Sequence, residues 1–201
     1  MFIFKPQLSS ILSYLGVNIS ILGIYFALSE RFEFSLICLI AATVCDLFDG
    51  KLARMFERSK NEKKFGIELD SLADTINFMA LPTVIMLQLF NSPLTVLVMA
   101  IYVACGITRL GVFNVMADED KPQPHFRGVP TPTVALLLPI LFLVRPIIPT
   151  DLYQTISLSA VVLLAFLFVV NIKIRKPTGR ALEVILLLAT MLCGGLIYAS
   201  L

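Results

Sequence analysis

The segments CDLFDGKLAR (45–54) and FGIELDSLAD (65–74) decide how this chain folds and where its chemistry lies. They carry the pattern DxxDGxxAR followed by GxxxDxxxD, whose acids are Asp46, Asp49, Asp70 and Asp74. The apolar runs that flank these segments are long enough to cross a bilayer. Carboxylates at membrane depth are costly and usually functional, so this stretch is the candidate site.

The spacing of the four acids predicts that they converge. At about 100° per residue, Asp46 and Asp49 share one face of a helix, and Asp70 and Asp74, one turn apart, share a face of the next. Packed together, two such helices would direct four carboxylates at hard cations such as Mg²⁺ or Mn²⁺. Without cations the acids would repel one another and bind protons. Asp46 and Asp49 could instead merely mark the end of their helix. This explanation is weaker, because carboxylates in the last turn of a helix oppose its dipole.

Small and basic residues accompany the acids. Gly50 and Ala53 lie on the face that carries the first two acids and leave room for a flat or polyanionic ligand to approach the backbone. Gly66 permits a similar approach at the start of the next helix, and the Arg54 guanidinium is suited to phosphate. The sequence therefore predicts a surface for such a ligand beside the acids.

Composition sets the class of protein. Of 201 residues, 58% are hydrophobic and only 15% are charged, and the mean hydropathy is +0.89. These values predict an all-α, polytopic membrane bundle that forms a single integral membrane domain over 1–201. The expected spans, about seven helices, are 8–28, 34–55, 67–90, 93–115, 131–148, 151–171 and 180–200. The first helix is expected to be retained, because the N-terminal segment lacks the features of a removable signal peptide.

The distribution of basic residues predicts the orientation in the cell membrane. Of the 16 Lys and Arg, all except Arg31 and Arg145 lie at or near one side of the bundle. By the positive-inside rule, the N-terminus and the acidic motif face the cytoplasm and the C-terminus lies outside.

Two basic clusters, 51–64 and 173–180, lie on the predicted cytoplasmic side. They suit anionic headgroups of membrane lipids or a lipid-linked diphosphate, and these alternatives stay open. No nucleic-acid partner is expected.

The ordered pattern in 46–74 resembles the signature of the CDP-alcohol phosphotransferases, integral membrane enzymes that join an alcohol to a lipid phosphate with loss of CMP. Three segments are similar to those of the branch that uses serine: FGIELDSLADTINFMALP (65–82), CGITRLGVFNV (105–115) and FRGVPTP (126–132). The resemblance implies transfer of a phosphatidyl or archaetidyl group from a CDP-activated lipid to the hydroxyl of L-serine, in phospholipid biosynthesis. It also implies two divalent ions, Mg²⁺ or Mn²⁺, and a homodimer.

Roles for individual residues follow from the same resemblance. The metal ligands of the family correspond to Asp46, Asp49 and Asp70. The general base corresponds to Asp74, with a metal contact of its own left open. The surface for cytidine and diphosphate is predicted at Gly50, Ala53, Arg54 and Gly66.

Serine recognition requires a cation for the carboxylate of serine and acceptors for its ammonium group. The candidate residues are Arg109, Asn114, Arg127 and Thr131. Each of these side chains could instead satisfy backbone groups or contact lipid, so the serine contacts stay open.

Two other functions fit parts of the pattern. An enzyme of the same family that uses inositol phosphate or glycerol phosphate would need a further cluster of cations around its acceptor. A membrane cation transporter would need a path of carboxylates that continues across the membrane. After Asp74, however, the later spans add only Glu183, near the start of the last one, as a further central acid.

Overall fold

The computed structural model describes residues 8–53, 55, 59–116, 125–175 and 180–201. Helices account for most of them: α1 (Leu8–Leu28), α2 (Phe32–Ala53), α3 (Lys60–Asp74), α4 (Leu81–Leu89), α5 (Pro93–Met116), α6 (Val134–Val144), α7 (Thr150–Val169) and α8 (Arg180–Ala199). A π-helical turn, Thr75–Ala80, joins α3 to α4, and 3₁₀ turns cover Thr131–Thr133 and Arg145–Ile147. A short strand β1 (His125–Arg127) pairs antiparallel with β2 (Lys173–Arg175).

The all-helical class and the number of helices predicted from the sequence are confirmed. Because α3, the π turn and α4 form one continuous rod, Lys60–Leu89, the described residues contain seven helical rods. The rod begins earlier than the expected residue 67, because Ser59 and Glu62 form a capping box. The Glu62 N–H donates to the Ser59 hydroxyl, and the Ser59 N–H donates to the Glu62 carboxylate. The polar segment before the apolar run is therefore helical.

Four of the described helices are long and apolar enough to cross a membrane, by length and composition: Ser10–Leu28, Lys60–Leu89, Pro93–Met116 and Thr150–Val169. The charged residues Glu33, Asp46, Asp49 and Lys51 make α2 less apolar, and the stretches Thr131–Ile147 and Glu183–Ala199 are shorter. Large apolar side chains, such as Leu97 of α5 and Phe166 of α7, are exposed on the outer faces. An exterior of this kind suits contact with lipid.

The core joins α2, the Lys60–Leu89 rod, α5, α6 and α7. Tyr102 of α5 is completely buried, and its ring packs against Phe168 of α7 with centroids 5.5 Å apart. The Tyr102 hydroxyl donates to the Phe78 carbonyl at 2.6 Å. Pro82, four residues further along the rod, has no N–H to donate to that carbonyl, so the Tyr102 hydroxyl is a donor from outside the rod.

The chain enters the first turn of α6 through a fixed connection. Gly128 has a φ of +73°, and its N–H donates to the Ile172 carbonyl at 2.9 Å. A Cβ at this position would lie 2.3 Å from the Phe168 carbonyl oxygen. Only glycine combines this backbone conformation with such a close approach. The irregular backbone at the start of 128–133 is therefore anchored to the end of α7.

Candidate active site

Three of the predicted acids meet near the end of α2, where α3 passes beside it. One carboxylate oxygen from each of Asp46, Asp49 and Asp70 lies within 4.8 Å of the other two. Asp46 and Asp49 share a face of α2 because they are three residues apart, and α3 brings Asp70 to that face. Asp49 is buried and the other two are half-buried. We call these three residues the acidic cluster.

Hydroxyl groups on α1 reach the acidic cluster and the π turn. The Ser13 hydroxyl donates to Asp49 Oδ2 at 2.5 Å, and the Ser20 hydroxyl donates to Asn77 Oδ1 at 2.8 Å. All four side chains are buried. The sequence interpretation missed both contacts. The signal that could have found them is the seven-residue spacing of two serines on one face of an otherwise apolar helix.

Asp74 lies one turn beyond Asp70 on α3 and is only 8% exposed. Its Oδ2 accepts a hydrogen bond from the Thr131 hydroxyl at 3.1 Å. Its Oδ1 is buried and has no hydrogen-bond partner among the described residues. Asp46 approaches it from α2, close enough for the two carboxyl groups to interact directly. A buried carboxylate oxygen without a donor calls for an explanation, such as a cation or a proton in transfer.

Arg109 of α5 reaches the same point from the opposite side. Its Nη1 donates to Thr131 Oγ1 at 3.5 Å, and its charge is attracted to Asp74 and Asp46. Arg109 is only 8% exposed, so this attraction acts largely inside the protein. It also lines a cavity of about 160 Å³ between the ends of α5 and α7, with Thr108, Val112, Phe113, Met116, Phe168, Val169, Val170 and Asn171.

The remaining predicted serine contacts differ in position. Asn114 joins α5 to α3: its Oδ1 accepts from the Ser71 hydroxyl at 2.8 Å, and its Nδ2 donates to Glu68 Oε2 at 3.5 Å. Arg127 belongs to β1, but its side chain lies outside the described residues, as does the whole of Arg54. Their roles in binding serine or diphosphate stay predictions.

The predicted nucleotide surface follows the last two turns of α2. Gly50 is exposed, and a Cβ placed on it would meet no atom of the described part of the chain within 4 Å. Packing among the described residues therefore gives no reason for a glycine here. Ala53 ends α2, and Gly66 lies one turn before Asp70 on α3, both half-buried. The open space at Gly50 leaves room for the predicted ligand.

The donor set fits a hard divalent cation. The acidic cluster offers carboxylate oxygens alone, which Mg²⁺ and Mn²⁺ prefer, and it contains neither Cys nor His. The Asp74 carboxylate, which Asp46 approaches, adds a fourth acid nearby. The predicted ligands thus divide into three acids with oxygens within 4.8 Å of one another and a fourth acid one turn beyond Asp70 on α3.

Fold and site together define a helical membrane protein with a cation-suited acidic centre at one end of the bundle. The profile of the family described as CDP-alcohol phosphatidyltransferase matches residues 6–172. The chain belongs to this family, which confirms the resemblance noted in 46–74 and favours a transferase over a cation transporter.

Curated relatives carry related names. The CDP-diacylglycerol–serine O-phosphatidyltransferase of Helicobacter pylori is 30% identical over 163 residues, which are 79% of this chain and 67% of that protein. The Saccharomyces cerevisiae protein of the same name is 35% identical over 108 residues, 50% of this chain and 38% of that protein. The archaetidylserine synthase of Methanothermobacter thermautotrophicus is 28% identical over 175 residues, 86% of this chain and 71% of that protein. The chain matches only 46% of the length of the proteins of that name from Mycobacterium bovis and Mycobacterium tuberculosis.

Proposed function

We propose that this protein transfers the phosphatidyl or archaetidyl group of a CDP-activated lipid to the hydroxyl of L-serine and releases CMP. The observation that carries the proposal is the buried Asp74 carboxylate beside the acidic cluster. Family membership supports a CDP-activated lipid as the donor. The names of the bacterial, yeast and archaeal relatives support serine as the acceptor.

The reaction is a displacement at phosphorus. The serine hydroxyl oxygen forms a bond to the lipid-bearing phosphorus, and the bond from that phosphorus to the oxygen shared with CMP breaks. CMP leaves with the electron pair of that bond. The serine proton passes to Asp74, for which Oδ1 is the suited atom because Oδ2 already accepts from Thr131.

Two divalent ions, Mg²⁺ or Mn²⁺, are the proposed cofactors. Asp46, Asp49 and Asp70 would hold them. A metal contact of Asp74 would use Oδ2, because Oδ1 is assigned to the serine proton. When bound, they would offset the negative charge of the diphosphate and of the departing CMP. The hydrogen bond from Ser13 holds the Asp49 carboxylate in place for this role.

The remaining contacts of the substrates are proposals as well. Gly50, Ala53, Arg54 and Gly66 would face the cytidine and diphosphate. Arg109 would attract the carboxylate of serine, because its guanidinium lies beside Thr131 and near Asp74. Asn114 and Arg127 would complete the serine contacts.

The proposed setting is the cell membrane, with several spans, the N-terminus inside and the acidic cluster facing the cytoplasm. Four apolar helices of sufficient length and the distribution of Lys and Arg support this arrangement. A homodimer in contact with membrane lipids is proposed on the family resemblance.

The direct test is CMP release by the purified protein in lipid vesicles that contain CDP-diacylglycerol or CDP-archaeol. Serine, inositol phosphate and glycerol phosphate are supplied separately with Mn²⁺ or Mg²⁺. We expect release with serine alone. CMP release with one of the phosphorylated alcohols would support the reaction of the family but show that serine is not the acceptor. Metal flux without CMP release would favour a transporter.

Gly50→Ala separates a ligand-binding role from a structural one. The new methyl group meets no atom of the described residues within 4 Å, and alanine favours a helix over glycine by about 1 kcal/mol, so the melting temperature should not fall. We expect the KM for the CDP-lipid to rise at least about tenfold, as a single methyl group does in a tight site. Titrating the CDP-lipid at saturating serine measures this change.

Gly194→Ala is the matched control for Gly50→Ala. Gly194 lies in the far part of α8, and a Cβ there also meets no atom within 4 Å where the structure describes the chain. This variant should keep the KM of the unmodified protein. An unchanged KM in Gly50→Ala would remove Gly50 from the nucleotide surface.

A further inference from the structure

Thr131 lies between the two oppositely charged residues of the site, and the direction of its hydrogen bonds is determined. The side chain is completely buried; its Oγ1 accepts from Arg109 Nη1 and donates to Asp74 Oδ2. A guanidinium has no acceptor atom, and a hydroxyl has a single proton to donate. The Thr131 proton therefore points at Asp74.

The backbone around Thr131 is held without any ligand. Pro130 and Pro132 flank it, and each proline ring fixes its own φ angle. The Thr133 N–H donates to the Pro130 carbonyl at 3.1 Å and closes the 3₁₀ turn. Upstream, Gly128 is bound to the chain that follows α7. The hydroxyl is thus carried on a rigid support.

The consequence for Asp74 concerns its two oxygens. The terminal torsion of an aspartate is broad and two-fold, so an unrestrained carboxylate presents either oxygen to its surroundings. The Thr131 bond holds Oδ2 on the side of α6. Oδ1 is then the oxygen left for a reacting group.

We propose that Thr131 is a positioning residue that fixes the Asp74 carboxylate with Oδ1 toward the reacting hydroxyl, rather than a residue that contacts serine. This inference rests on the proposed function only in that Asp74 acts as the base. It does not depend on which alcohol attacks. The RGVPTP segment then serves to deliver one hydroxyl to one carboxylate.

Thr131→Val and Thr131→Ser test the role of the hydroxyl. Valine has nearly the same shape and cannot donate to Asp74, whereas serine keeps the hydroxyl. We expect Thr131→Val to lower kcat by about 10- to 100-fold, the usual effect of losing such a supporting hydrogen bond, with the KM for serine unchanged. Thr131→Ser should recover most of kcat. Thr133→Val, on the same 3₁₀ turn, is the matched control and should keep full activity.

Two readouts besides activity accompany these variants. Melting temperatures identify any variant that fails to fold, and Thr131→Ala then takes the place of Thr131→Val. Mn²⁺ binding, followed by electron paramagnetic resonance, should be the same in Thr131→Val as in the unmodified protein. Loss of Mn²⁺ binding would show that Thr131 stabilises the metal site, and this result would overturn the proposal.

A double-mutant cycle with Asp74→Asn decides whether Thr131 acts through Asp74. We expect Thr131→Val to cause no further loss of kcat once Asp74 is replaced. Multiplying losses would overturn the proposal, as would a raised KM for serine at unchanged kcat. If another alcohol proves to be the acceptor, the serine assignment fails while the same cycle, run with that alcohol, still tests Thr131. If no alcohol supports CMP release by the protein, both the proposed function and the proposed role of Thr131 are overturned.

Discussion

Asp74→Asn is expected to lower the kcat of serine-dependent CMP release by about 10²- to 10⁴-fold, the usual contribution of a general base. Asparagine has the shape of aspartate and can still accept the Thr131 hydrogen bond, but its amide does not take up a proton from an attacking hydroxyl. The loss should therefore appear in kcat with the fold intact. Initial rates at saturating serine and CDP-lipid measure it, with melting temperatures recorded on the same samples.

Asp151→Asn serves as the control for this variant. Asp151 is an exposed carboxylate in the first turn of α7, at the end of the bundle away from the acidic cluster. The control should keep the kcat of the unmodified protein. A folded Asp74→Asn protein with unchanged kcat would mean that another group takes the serine proton.

Chelation of divalent cations is expected to abolish CMP release, and Mn²⁺ or Mg²⁺ to restore it. The physical reason is the placement of three carboxylates within 4.8 Å of one another, where bound cations would offset their mutual repulsion. Asp70→Asn removes one of these ligands. We expect it to weaken Mn²⁺ binding by more than about 100-fold, beyond the effect of losing an outer hydrogen-bond partner. Titration with Mn²⁺ and CMP-release rates at each concentration measure the change.

The same substitution should change the cation-free protein in the opposite direction. Removing one of three neighbouring negative charges lowers their repulsion, so Asp70→Asn should melt at a higher temperature than the unmodified protein in chelator. Glu183→Gln, at an exposed position on α8, is the control and should alter neither property. Full activity in chelator, or normal Mn²⁺ binding by Asp70→Asn, would contradict the cation assignment.

Local patterns in the sequence were sufficient to predict the helices and the family. Apolar runs predict helical rods because each rod must shield its backbone from lipid, and the regular spacing of acids predicts which of them share a face. The early start of α3 was readable in principle, since Ser59 and Glu62 have the spacing of a capping box. The apolar run alone placed the boundary too late.

Contacts between distant parts of the chain could not be predicted in this way. The bond from Ser13 to Asp49 spans 36 positions, and the bond from Thr131 to Asp74 spans 57. No periodicity within one helix determines which hydroxyl of another helix will face a given acid. The sequence around Thr131 marks it as a candidate, but its partner follows from the fold, which brings the 3₁₀ turn Thr131–Thr133 to Asp74 at the end of α3.

The π turn at Thr75–Ala80 rotates the side chains of α4 about the helix axis relative to those of α3, within the single Lys60–Leu89 rod. A π turn holds one residue more than the α-helical turn it replaces, and one residue corresponds to about 100° of rotation. Asp74, before the turn, faces Thr131 and Asp46, while Leu81 and Ile85, after it, are buried in the core. A gain or loss of one residue within this turn would change the direction of the acids on α3 and leave the apolar α4 packed in the core. Chain length at this point is thus a means by which evolution could change the direction of the acids without rebuilding the bundle.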